Sequence, residues 1–432
     1  MIVVPPLATR YEDFINYRKT TLNNGIRIIT EHIPYVQSVS LGIWVRSGSR
    51  FEQPNQNGIC HFIEHMLFKG TERRSAYAIA KEIDSVGGVL NAFTSKELTS
   101  FYCRILNEHL GMAVDLLTDI FLNSSFPEEE IEREKQVICQ EIHQMEDSPE
   151  ELVHEILGFR FWPQDPLGSP ILGTIPNIVK LDRETLLGFK RDNYTPDEIV
   201  VCAAGNLDHD SFVDLIAKQM AVLAQCSDRT DLQMTRSSST SHVEEKDLEQ
   251  VHVCIATEGP SAVDDRRHAS YILNALLGGG MSSRLFQEIR EKKGLAYSVY
   301  SFLSAFSDTG MFGIYAGCDP ARMEELLAIT GKETIGLSES ITEDEIRTAK
   351  NQIKGNIVLA MESSDARMNR LAKEEFCFGR HISLEEVITS LESVSPRQLS
   401  DEAREMLNSG RFTIVVLGPV DSKSDLFGLF YG

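Results

Sequence analysis

The chain has no C-x-x-C pair, no apolar run approaching the length of a bilayer, and little positive charge for its size. Its eight cysteines stand singly, which reads as reduced, mostly buried thiols in a reducing compartment. A membrane-spanning helix needs about 20 consecutive apolar residues, and none are found. The start, Met1-Ile2-Val3-Val4-Pro5-Pro6, lacks the basic end and long apolar core of a secretory signal. Glu12 and Asp13 are out of place in a transit peptide. The expectation is a soluble protein of a bacterial cytoplasm, with no membrane partner. Lys and Arg number 42 against 64 Asp and Glu, a net charge of −22 at pH 7. So acidic a surface repels nucleic acid, which is excluded as a partner. Ordinary solubility is what the charge otherwise implies.

What is present is concentrated in five positions, His61-Phe62-Ile63-Glu64-His65. On a helix His61 and His65 are i and i+4, so both imidazoles reach one metal ion. Glu64 sits beside them without having to be a ligand. The pattern is the inverted H-x-x-E-H form of the zinc-protease motif. Cys60 adjoins His61 but belongs to another face of the same helix, as a core residue. Taken alone, the pentad is equally compatible with a hydrogen-bonded surface face.

A third ligand would come from a later helix. Phe126-Pro127-Glu128-Glu129-Glu130-Ile131 opens one, since Pro127 suits a first turn and glutamates suit the positive end of the helix dipole. That helix should run to about Met145. It carries Glu134 and Glu141, seven apart and on one face, so one could ligate zinc while the other hydrogen-bonds a ligand histidine. Spacing does not say which does which, and acidic residues on a long helix are often only a solvated face.

The pentad, with Glu141 lying 76 positions after His65 and Glu134 seven before it, resembles the pitrilysin (insulinase) family of zinc peptidases. The likeness is to its short two-domain branch, which includes mitochondrial processing peptidase and bacterial homologues. It extends through Gly58-Ile59-Cys60-His61, Leu67-Phe68-Lys69-Gly70-Thr71 and Gly87-Gly88-Val89-Leu90-Asn91-Ala92-Phe93-Thr94, with Glu97 and Thr99 behind, and covers essentially the whole chain. The resemblance implies Zn2+ held by His61, His65 and Glu141, Glu134 orienting a ligand histidine, and Glu64 as general base toward zinc-bound water. It also implies that the strand Asn91-Ala92-Phe93-Thr94 takes an extended peptide as an added strand.

The second half of the sequence repeats the first with the metal site erased. Ile199 to Asp208 is echoed by Thr413 to Asp421, with Gly205 and Gly418 213 apart. Phe126 to Ile131 is echoed by Ile341 to Ile346 at an offset of 215, which sets Ala349 opposite Glu134 and Asn356 opposite Glu141. The histidines fall near Asn274 and Gly278. A length of 432 residues suits two such domains. They are expected at 1–224 and 245–432, joined by a polar linker at 225–244 without apolar periodicity. Strands are expected at Ile26–Thr30, Ser38–Val45, Val251–Thr257 and Thr309–Gly317, and helices at Ala76–Val86, Glu108–Leu122, Ala321–Leu337 and Glu343–Met361. The class is α+β: two homologous sandwich-like domains, each a mostly antiparallel sheet with helices on one face.

In the metal-free half, Leu285 to Tyr297 joins a helix to a strand through Gly294 and resembles the family segment whose arginine and tyrosine complete the active site. Arg290 and Tyr297 hold those positions, suited to a substrate carbonyl and to the oxyanion that forms on attack. Family members build a chamber from four homologous domains, and this chain holds two. The resemblance therefore implies a homodimer, with Arg290 and Tyr297 of one subunit facing the zinc of the other, hydrolysing short or unfolded peptides. An acidic chamber would favour basic peptides. The alternatives are a non-catalytic scaffold, as some relatives are, or one subunit of a heterodimeric processing peptidase.

Overall fold

A computed structural model of the chain describes residues 16–223, 235–408, 410–421 and 423–432. The N-terminal residues read for targeting signals, and 225–234 of the expected linker, lie outside these. In chain order the strands are β1 Asn16–Thr21, β2 Arg27–His32, β3 Ser38–Val45, β4 Val89–Thr94, β5 Thr99–Leu106, β6 Ile199–Gly205, β7 Ser241–Glu245, β8 Val251–Gly259, β9 Ala296–Ala305, β10 Gly310–Cys318 and β11 Thr413–Gly418. The helices of the first half of the sequence are α1 Ile59–Leu67, α2 Ala76–Asp84, α3 Leu110–Asn123, α4 Glu128–Glu146, α5 Pro149–Phe161, α6 Ile175–Ile178, α7 Arg183–Asn193 and α8 His209–Met220. Those of the second are α9 Arg267–Leu277, α10 Met323–Ile335, α11 Leu337–Ser340, α12 Glu343–Ala360, α13 Ser364–Phe378, α14 Leu384–Ser393, α15 Pro396–Leu407 and α16 Leu426–Tyr431.

Two sheets result, ordered β1-β2-β6-β3-β5-β4 and β7-β11-β8-β10-β9. Pairings are antiparallel except β2 with β6 and β7 with β11. The second sheet thus has the order of the first without its β1 edge, which is the sequence repeat seen as topology. Two glycines make the same point. Gly205 and Gly418 end the strand next to the parallel-paired one, at φ +141° and +148°, and each carbonyl accepts from the N–H two residues on. A side chain at Gly205 would meet the Ser38 carbonyl at 2.2 Å, so only glycine fits that turn.

The compact units do not coincide with the halves of the sequence. Among the described residues, one comprises 16–142, 170–223 and 359–382; the other comprises 143–169, 235–358 and 383–432. In the first unit, strand alternation sends Ile28, Leu41 and Val201 toward α1, α3, α7 and α8. Ile29, Trp44 and Cys202 face the other way and pack on Met368, Leu371 and Ala372 of α13. Polar contacts hold that helix too: Glu31 takes Arg367, Glu375 takes Lys19 and Arg27, and Asp365 takes Ser40 and Arg104. In the second unit Val253, Ile255 and Val416 face α9, α10 and α15, while Cys254, Tyr315 and Leu417 pack on Val153, Leu157 and Phe161 of α5. The main helical layer of each sheet lies on one face as expected, and a single helix covers the opposite face. Boundaries at 224 and 245 miss this exchange because the apolar stripe of α5 or α13 is the same whichever sheet it covers. The end of the expected linker, 241–244, belongs to edge strand β7; a polar edge strand offers no apolar alternation to read.

Candidate metal centre

α1 follows Gly58, whose φ of +99° puts it in the left-handed region. Ile59, Cys60, Phe62, Ile63, Met66 and Leu67 are buried in the first unit's core. Cys60 is fully buried, as its helix face required. The remaining face carries His61, Glu64 and His65.

Across from that face runs α4, opened after Pro127 by three glutamates in its first turn. Its Glu141 directs Oε2 toward both histidines, 3.8 Å from His61 Nε2 and 3.7 Å from His65 Nε2. One donor atom from each of the three residues lies within 4.8 Å of the other two. Glu141 Oε2 is buried and has no hydrogen-bond partner among the described residues. A buried carboxylate oxygen left unsatisfied beside two imidazole nitrogens is costly unless something cationic occupies the space between them. Two imidazoles and a carboxylate are also the donor set of hydrolytic zinc sites, with a fourth position open. The residues present fit a zinc ion.

At His61, protonation supports the same fit. Burial, with the neighbouring His65, pushes the His61 pKa down to about 3, so its ring is neutral and able to ligate. For His65 burial acts downward, but Glu134, Glu141 and Glu64 outweigh it and the pKa rises. Glu134, two turns before Glu141, accepts from His65 Nδ1 at 2.8 Å, which aims the other nitrogen at Glu141. The Glu134 Oε1 atom pairs with Lys69 Nζ at 2.5 Å. Burial would raise the Glu134 carboxyl, yet His65 and Lys69 hold it below its ordinary range.

Glu64 is held from the sheet side. Thr94, last residue of β4, donates its hydroxyl to Glu64 Oε2 at 2.5 Å. Burial raises the Glu64 pKa, with Thr94 and His65 pulling it back. Among the described residues β4 is an edge strand, paired only with β5. Asn91, Ala92, Phe93 and Thr94 therefore lie on a strand with one open side. Asn91 and Phe93 are exposed on one face of the strand; Ala92 and Thr94 are partly covered on the other.

Arg290 and Tyr297 belong to the second unit. A π-helical segment, Phe286–Lys292, carries Arg290, and Gly294, φ +59°, follows it before β9 begins. The Arg290 guanidinium lies 4.6 Å from the Tyr297 ring centroid and 4.8 Å from that of Phe286. Tyr297 is 80% exposed. The two residues are brought to each other and present a cation and a phenol side by side.

Sequence reasoning missed Glu52. Its buried carboxylate accepts from the backbone N–H of Gly58 at 2.8 Å and of Cys60 at 2.9 Å, and from Asn57 Nδ2 at 2.9 Å. A capping box is legible because its members are three apart; Glu52 lies six residues before Gly58 and leaves no such spacing. Lys69 was legible only as part of a motif, without its partner.

Comparison with known proteins gives concordant findings. Residues 27–175 match the family model described as insulinase (peptidase family M16), and residues 180–353 match that of the peptidase M16 inactive domain. An uncharacterized zinc protease of Streptomyces coelicolor is 40% identical over 94% of this chain and 90% of its own length. One of Bacillus subtilis is 39% identical over 93% of this chain and 98% of its own. Among solved structures, a protease from Helicobacter pylori superposes with a TM-score of 0.86 at 22% identity, covering 94% of this chain and all of that one.

Proposed function

Because the chain belongs to the M16 (insulinase, or pitrilysin) family of peptidases, we propose that it is a zinc endopeptidase acting on short or unfolded peptides through the inverted H-x-x-E-H site on α1. The observation that carries this reading is Glu141 Oε2, buried, unpartnered and facing both histidine Nε2 atoms. His61, His65 and Glu141 would hold the ion. Zinc, when bound, supplies a Lewis acid for the scissile carbonyl and lowers the pKa of water. Glu64 takes a proton from the attacking water and passes it to the leaving amine. Its Oε2 is engaged by Thr94, so Oε1 is the atom that moves the proton. Glu134 keeps His65 in the tautomer whose Nε2 lone pair faces the site.

Substrate adds along the open side of β4 between Asn91 and Thr94, gaining affinity from main-chain hydrogen bonds with limited side-chain selectivity. Arg290 and Tyr297 donate to the carbonyl oxygen as it becomes an oxyanion. The repeated topology of the two sheets supports a homodimeric chamber in which these two residues serve the partner subunit's site. The net charge of −22 favours basic peptides. The seven cysteines of the described residues are free thiols, which supports a reducing, cytoplasmic setting. The test is cleavage of a quenched Lys- and Arg-rich peptide before and after treatment with a chelator. Activity lost to the chelator and restored by zinc supports the reading; chelator-insensitive cleavage ends it.

A further inference from the structure

The two histidines of the metal centre are held differently. His65 is gripped from the side, with its Nδ1 on Glu134. The Nδ1 of His61 is buried and has no hydrogen-bond partner among the described residues. The ring meets that of His65 edge-on at 4.5 Å but has no hydrogen bond at Nδ1 of the kind that holds His65, so its direction depends more on the backbone beneath it, the first turn of α1.

That turn cannot be capped in the usual way. Gly58 stands at the N-cap position with no side chain, where Ser, Thr, Asp or Asn would ordinarily accept from the first amides. Glu52 takes over, placing one buried carboxylate on the Gly58 and Cys60 amides, at the positive end of the helix. Asn57 Nδ2 bonds both Glu52 and the Pro170 carbonyl, so the carboxylate is itself held.

The segment bearing Glu52 is anchored to the turn that leaves β4. Ser49 and Arg50 donate their backbone N–H groups to the carbonyls of Ser95 and Lys96, at 3.2 and 2.8 Å. The buried Arg50 guanidinium pairs with Glu97 at 2.6 Å. The same hairpin carries Thr94, which holds Glu64. One structural unit, residues 48–52 with the β4–β5 turn, thus reaches both ends of the functional face of α1.

Resting on the reading of α1 as the zinc helix, we propose that Glu52 is a positioning residue of the metal centre, fixing the first turn of α1 and through it the direction of His61. It touches neither metal nor substrate. Its loss is therefore read in metal binding, which residues orienting a ligand typically change 10–100-fold.

The experiment is a zinc dissociation constant, measured by chelator competition on the full-length protein at a temperature where every variant is folded. Glu52→Gln keeps the shape but replaces an acceptor oxygen with an amide N–H group facing other donors. Zinc binding is expected to weaken about tenfold or more. Asn57→Ala, which only loosens Glu52, should weaken it less and serves if Glu52→Gln does not fold. Phe212→Leu, in the core packing of α8, is the control for a loss of melting temperature without a role at the site. Wild-type affinity in Glu52→Gln, or in Asn57→Ala if Glu52→Gln does not fold, overturns the proposal. So does an equal weakening in the Phe212→Leu control. Because no substrate is involved, a wild type that binds zinc but cleaves nothing leaves the inference standing. A wild type that binds no zinc removes both this inference and the function it rests on.

Discussion

Glu134 uses both carboxylate oxygens, one on His65 Nδ1 and one on Lys69 Nζ, so its charge is shared between a proposed ligand histidine and a lysine. Glu134→Gln keeps an acceptor for His65 but leaves Lys69 without its counter-charge and lowers the basicity of the imidazole. Zinc affinity should fall about 10–100-fold, with the fold retained; an unchanged dissociation constant in chelator competition would contradict the role. At this scale the sequence was informative wherever chemistry follows helical spacing. His61, Glu64 and His65 share a face at i, i+3 and i+4, and Glu134 and Glu141 at i, i+7. The assignment of Glu141 as ligand came from family likeness; its Oε2 lies 3.8 and 3.7 Å from the Nε2 atoms of His61 and His65. Glu52, and the hold of Thr94 on Glu64, were not legible, because each joins segments whose proximity is set by the fold and by no period.

The elements around the site are tied by a clamp between the segment after α1 and helix α3. Asp119 of α3 accepts from the Thr71 hydroxyl at 2.9 Å and from Arg74 at 2.7 Å. Burial alone would raise its carboxyl, but Asn123, Arg74 and Thr71 hold it below the usual range. Its folded-state pKa is therefore lower than its unfolded-state value. The stabilisation is fully present above about pH 4 and is lost as pH falls through the folded-state pKa. Asp119→Asn should cost about 2 kcal/mol at neutral pH. The gap between variant and wild type should close in acid, as urea unfolding across pH would show; a gap that persists at the lowest pH would contradict the clamp.

Most strands and helices were readable from alternation and amphipathic period, and β3 and the start of α12 fall where expected. The exchange of α5 and α13 was not readable. α13 covers Ile29, Trp44 and Cys202 of the first sheet, so a fragment of residues 1–231 lacks that cover. We expect it to bind a hydrophobic dye and to melt without a cooperative transition, and a synthetic 359–382 peptide to reduce the dye signal. A fragment that melts cooperatively by itself would show α13 to be dispensable.

For the whole molecule, the repeat explains how one topology serves two roles. The first sheet supports α1 and α4 with the proposed metal ligands. The second keeps the same strand order while Ala349 stands opposite Glu134 in the register of the repeat, buried as Glu134 is. That half instead presents Arg290 beside an exposed Tyr297. If these complete the partner's site, two individually inactive variants should rescue each other. Mixing Glu64→Gln subunits with Tyr297→Phe subunits gives a heterodimer with one intact site, and peptide cleavage should return after subunit exchange. Persistent inactivity, with exchange verified by mass, would place Glu64 and Tyr297 in the same subunit's site; activity of Tyr297→Phe alone would place Tyr297 outside catalysis.

The measurement that bears most directly on the peptidase reading pairs zinc content with peptide cleavage in the wild type and in Glu64→Gln, which retains His61, His65 and Glu141 but removes the base. The expected result is one zinc per chain in both proteins, with cleavage in the wild type and a loss of at least about 100-fold in the variant. Cleavage by Glu64→Gln at the wild-type rate, or a wild type that takes up no zinc, would contradict it.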